Sequence, residues 1–193
     1  MRINSLCAIL FFAATLALPG VSAARTTAEP ATEAASATKT VRVATISRTA
    51  VKEAVQAETL RIRQARPGRL WCVPFARAVS GIEIRGDAAT WWKKAGAEYP
   101  KGRVPVSGSV LNFRATGSMP RGHVAVVSEI LSPREILVDQ ANWVKNRVTL
   151  DTVVIDVSAQ NDWSAVRVAN QSNSFGRVYP TYGFIYRPAD SNT

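Results

Sequence analysis

Hydrophobic and polar positions alternate differently in successive stretches of the chain. Residues 6–18 are almost unbroken apolar and follow a short segment charged by Arg2. Val21-Ser22-Ala23 then offers the small residues a signal peptidase reads, so residues 1–23 are expected to be a secretory signal. The run is shorter than the roughly 20 residues a bilayer span needs, and no later run is longer. A secreted or periplasmic protein with no stable membrane insertion after cleavage is expected. Residues 25–40 hold no large apolar side chain and read as a linker too poor in buried surface to offset ordering entropy. Residues 41–46 alternate and suggest a short strand or arm. Residues 49–65 are good helix formers, with Val51, Val55 and Ile62 near one face and Arg66-Pro67-Gly68 as a stop. Residues 72–79 read as a second helix, with Pro74 tolerated in its first turn. Asp87 is a plausible N-cap for a third over residues 88–94. After Gly96 the pattern changes to short strands at 104–106, 109–113, 123–130, 136–139, 152–157 and 183–186. Helices followed by strands predict an α+β domain with a mostly antiparallel sheet. The boundaries that follow are a linker or arm at 24–48, a leading helix at 49–66, the compact domain at 67–188 and a tail at 189–193.

Composition narrows the chemistry. Among 193 residues there are two cysteines and one histidine, too few for zinc fingers, Cys/His clusters or haem attachment. Cys7 lies inside the expected signal, which leaves Cys72 alone in the mature chain. A single cysteine in an exported protein suggests a reactive thiol or an intermolecular bridge, against the alternative of a buried, inert side chain. Lys and Arg exceed Asp and Glu by 24 to 14, a net charge of +10. Scattered basic residues without interleaved aromatics do not suit nucleic acid, whereas attraction to an anionic wall suits an exported protein.

Cys72 falls where a loop turns into a helix, and the free amides and dipole there favour a thiolate. The same amides can donate to an oxyanion. A thiolate catalyst wants a base, and His123 is the only histidine; it opens a strand after Gly122, which permits close backbone approach. The third member should orient the imidazole. Strand alternation puts Gln140 and Asn142 on one face and Asp139 on the other, and all three are candidates. Asn142 can accept the ring N–H through its amide oxygen, and Asp139 could do so with a full charge if the strand twists or bulges there.

Five blocks carry a resemblance: Trp71-Cys72-Val73-Pro74-Phe75-Ala76-Arg77, Gly86-Asp87-Ala88-Ala89-Thr90-Trp91-Trp92, Gly108-Ser109-Val110-Leu111, Gly122-His123-Val124-Ala125-Val126-Val127 and Asn142-Trp143. Together they resemble the CHAP family, the cysteine, histidine-dependent amidohydrolases/peptidases, over most of residues 67–188. The resemblance implies a papain-like α+β fold, N-terminal helices packed on a mostly antiparallel sheet, that hydrolyses amide bonds in bacterial peptidoglycan. It makes Cys72 the nucleophile and His123 the base. Gln140 stands where many relatives have a glutamate, whereas Asn142 matches the family's asparagine before the tryptophan, so the resemblance favours Asn142 as the orienting residue, with Gln140 and Asp139 in reserve. Some phage members carry an acidic calcium loop before the cysteine; residues 66–71 hold no acid, so no metal is expected, nor any organic cofactor. Trp71 replaces a common glutamine and leaves the second oxyanion donor unidentified. Trp71, Trp91 and Trp143 are candidates for lining a substrate groove, although core packing is the commoner use of such side chains. The rivals are a non-catalytic peptidoglycan-binding module and a small-amide or peptide amidase on the same scaffold. Oligomeric state is open, with a monomer as the default.

Overall fold

The structure, a computed structural model, describes residues 43–65, 68–170 and 174–189. The expected signal at 1–23 and the linker at 25–40 lie outside the described residues.

Helix α1 (Arg48–Gln64) starts at Ser47, whose hydroxyl accepts from the Ala50 N–H at 3.2 Å, and it buries Val51, Val55 and Glu58. Helix α2 (Cys72–Ser80) presses Phe75, Ala76 and Val79 inward. A 3₁₀ turn at Ala88–Thr90 runs into the short α3 (Trp91–Lys94), so the third expected helix is present but split. The strands are β1 (Lys101–Gly102), β2 (Val110–Phe113), β3 (His123–Ser132), β4 (Glu135–Ala141), β5 (Val148–Asp156), β6 (Ala165–Ala169) and β7 (Phe175–Ile185). All pairings are antiparallel, in the order β1-β7-β2-β3-β4-β5-β6, and β7 also pairs with β6. That second pairing closes β2 to β7 into a six-stranded, barrel-like sheet, which leaves little free strand edge.

Closure gives the sheet two buried faces. Leu111, Phe113, Ala125, Val127, Ile136, Val138, Val166 and Phe184 fill the inside, with Trp163 among them. Val110, Val124, Val126, Ala141 and Ile185 point outward and pack under the helices, with Trp91 in the same cluster. This is why β2 and the first half of β3 are apolar at nearly every position instead of alternating.

Four expectations about elements need correction. No strand forms over residues 104–106; Val106 instead accepts from the Ser109 N–H at 2.9 Å in a turn, and Pro105 has no N–H to give a ladder. Residues 41–46 contribute only an isolated Val43↔Pro188 bridge within the described part. Strand β6 was not expected at all. Strand β7 is far longer than the expected 183–186, because Pro180 and Gly183 break up its sequence. Pro180 sits where the strand passes from β6 to β2, a place where one N–H can be spared. Gly183 has φ +114°, and a Cβ there would lie 2.4 Å from the Gly102 carbonyl oxygen.

Candidate active site

Cys72 is the first residue of α2. Its predecessor Trp71 is extended and offers no side-chain cap, so the first-turn amides remain available. The backbone amides of Val124 on β3, of Cys72 and of Val73 each pull the thiol pKa down. Strand β4 pairs with β3 only from Val126↔Asp139 onward, so Val124 has no partner there from β4. Burial nevertheless raises its pKa, against the pull of these three amides and with a small contribution from the Asp87 charge. The first-turn amides favour the thiolate as expected, but burial outweighs them.

His123 opens β3 on the barrel-facing side and is buried. Gly122 makes this entry possible. It has φ +66°, and a Cβ would stand 2.7 Å from the Ala89 nitrogen, where the Ala89 N–H already donates to the Arg121 carbonyl at 2.8 Å. The imidazole lies edge-on to Phe113 and Trp143, with centroids 5.5 and 5.1 Å away. Nε2 is 2.8 Å from Oε1 of Gln140. Because that oxygen only accepts, Nε2 carries the hydrogen and Nδ1 is the basic nitrogen of the neutral ring. Burial lowers the His123 pKa to about 4, with the Gln140 bond opposing. At neutral pH the resting pair is therefore a thiol and an uncharged imidazole.

The residue on the imidazole is Gln140, not the favoured Asn142. Asn142 comes after β4 has ended, in a left-handed conformation with φ +62°, and its side-chain oxygen accepts from the Asn146 N–H at 2.9 Å. It shapes a loop at the rim. Asp139 faces the helices. Its carboxylate meets Nζ of Lys52 on α1 at 3.0 and 3.1 Å and accepts from the Asp151 N–H at 2.8 Å. Alternation along β4 therefore sends Gln140 and Asp139 to opposite faces, as expected, and only the turn after Ala141 removes Asn142 from Gln140's side.

Cys72 and His123 line one cleft of about 530 Å³, together with Trp71, Trp143 and Asn142. Trp71 is partly exposed at the mouth, with the guanidiniums of Arg69 and Arg121 at 4.3 and 5.6 Å from its ring. Trp143 packs on both His123 and Tyr179. Trp91 is corrected: it is fully buried in the core beneath the helices and does not reach the cleft. The sequence reading missed Asp87, Arg121, Arg177 and Tyr179 as lining residues. The last two were legible as an i, i+2 pair on one face of a strand, had β7 been recognised. Among the described residues no three His, Cys, Asp or Glu side chains gather as a metal site would require.

A family model described as the CHAP domain matches residues 64–142. The matched segment runs from the last turn of α1 through Cys72, His123 and Gln140. No curated protein and no solved structure matches the chain.

Proposed function

Since this chain carries a CHAP domain at residues 64–142, we propose that it is a cysteine hydrolase of amide bonds in peptidoglycan, working through a papain-like Cys72–His123–Gln140 arrangement. One observation carries the reading: a thiol at the start of a helix shares a cleft with an imidazole whose Nε2 is held by an amide oxygen. In this reading the thiol and imidazole rest uncharged, and ionisation is deferred until substrate arrives. Nδ1 of His123 takes the thiol proton as the sulfur attacks the carbonyl carbon, and the backbone N–H of Cys72 donates to the developing oxyanion. Oε1 of Gln140 accepts from Nε2 throughout, which steadies the imidazolium. The ring then returns its proton to the departing amine, leaving a thioester on Cys72. Water, deprotonated by the now neutral His123, attacks the thioester and frees the thiol.

Residues 1–23 support export to the wall, and the intact mass of the secreted protein reports whether they are removed. Turbidity loss of purified sacculi should vanish in Cys72→Ala, by at least about a thousandfold, while the circular-dichroism spectrum stays unchanged. An unaffected rate in that variant defeats the proposal. The burial-raised thiol favours a second reading, a wall-binding module without turnover. That reading predicts retention on sacculi and no alkylation of Cys72 at neutral pH; rapid alkylation lost in His123→Ala excludes it.

A further inference from the structure

The mouth of the cleft holds more positive charge than the proposed chemistry uses. Two guanidiniums, Arg121 and Arg177, line it against one carboxylate, Asp87. Arg121 faces Asp87 at 3.9 Å and is largely exposed, so its charge is mostly balanced and screened. Arg177 differs. Among the described residues it forms no ion pair, yet it is held in place: its Cζ sits 5.0 Å over the Tyr179 ring and its NH2 group donates to the hydroxyl of Ser118, another lining residue. The ring beneath it continues inward, since Tyr179 packs on Trp143 at 5.0 Å and Trp143 on the His123 imidazole at 5.1 Å. A guanidinium fixed by stacking loses little freedom on binding, and its remaining N–H groups keep the fork that matches a carboxylate.

We propose that Arg177 is a specificity-determining residue that grips a free carboxylate on the substrate, a few residues from the amide that is cut. The inference rests on the hydrolase reading above and names the substrate class within it: acidic peptides, in preference to their amidated forms. Arg177 lies outside the reacting group. Its contribution is discrimination, made through one charge-assisted, bidentate contact.

The test uses two muropeptides identical except that one carboxylate is free or amidated. Binding is measured to the full chain carrying Cys72→Ala, so that turnover does not interfere. The free acid should bind about tenfold more tightly than the amide. Adding Arg177→Gln should bring the ratio close to one, and Arg177→Lys should keep part of it. Arg63→Gln, which removes the same charge from an exposed side chain outside the cleft, should leave the ratio intact. Equal affinities in the parent, or a ratio that survives Arg177→Gln, overturns the inference. Hydrolysis of both muropeptides at equal kcat/KM by the unsubstituted protein overturns it while leaving the hydrolase reading in place. Preserved discrimination in binding with no hydrolysis of either form does the reverse.

Discussion

The β3–β4 hairpin buries polar side chains on both of its faces, and the two faces handle the cost differently. Toward the barrel, His123 and Gln140 form a neutral pair, enclosed by Phe113 and Trp143. Toward the helices, one residue earlier on β4, Asp139 forms a charged pair with Lys52. The difference follows access to water. Lys52 keeps a quarter of its side chain exposed and shares its charge with the surface residue Asp151, so ions persist there. Inside the barrel end His123 is buried almost completely, and burial holds the imidazole uncharged. Adjacent residues on one strand thus carry separate duties, Gln140 toward the site and Asp139 toward the docking of α1.

The largest effect that tests this contrast is the acid sensitivity of the neutral pair. His123 has a folded pKa of about 4 against an ordinary 6.5. Above 6.5 neither state is protonated and the residue leaves stability unchanged. As pH falls from 6.5 toward 4 the unfolded chain takes up a proton that the native state refuses, which costs the native state about 3 kcal/mol by pH 4. Asp139 works in the opposite sense: burial raises its pKa, so the native state binds its proton first and gains from acidification. Denaturant midpoints of the parent and of His123→Gln, compared at pH 7.5, 5.5 and 4.5, isolate the histidine. The gap between the two should change steadily below pH 6.5, and a constant gap would remove the burial argument.

Next in size is the loss of the imidazole's holder. Gln140→Leu should lower kcat about 10- to 100-fold, with KM within about twofold. Gln140→Glu should instead place a carboxylate on Nε2 and move the acidic limb of the pH–rate profile upward. A Gln140→Leu enzyme with parental kcat and an unshifted profile would return the orienting role to another residue.

The smallest effect belongs to the charged face. Asp139→Asn leaves Lys52 with Asp151 and keeps an acceptor for the Asp151 amide, so about 1–2 kcal/mol of stability should be lost. Activity should stay within about twofold. A drop in kcat matching that of Gln140→Leu, seen at a temperature where both variants are folded, would show that the two faces are not independent.

Much of this architecture was readable from residue order. The helix stop before Cys72, the strand opening at Gly122-His123 and the opposite facing of Asp139 and Gln140 are local properties, set by proline and glycine geometry and by the two-residue repeat of a strand. Strand β6 and most of β7 escaped because a strand interrupted by Gly176, Pro180 and Gly183 has little local signature. Its partner β2 lies far off in sequence, and the ladders to β2 and to the neighbouring β6 make it a strand.

What the chain order dictates here is the set of candidate groups: one thiol at a helix start, one imidazole at a strand start, three polar neighbours after them. Which neighbour touches the ring, and which way the two pKa values move, came from packing. Asn142 and Gln140 share a parity, and the left-handed turn after Ala141 alone separates them. Helix amides favour a thiolate at Cys72, yet enclosure between α2 and β3 costs the charged form more than three amides return. Desolvation depends on what surrounds a group from every side, and part of the wall around this site, Arg177 and Tyr179, arrives from a strand about a hundred residues further along the chain.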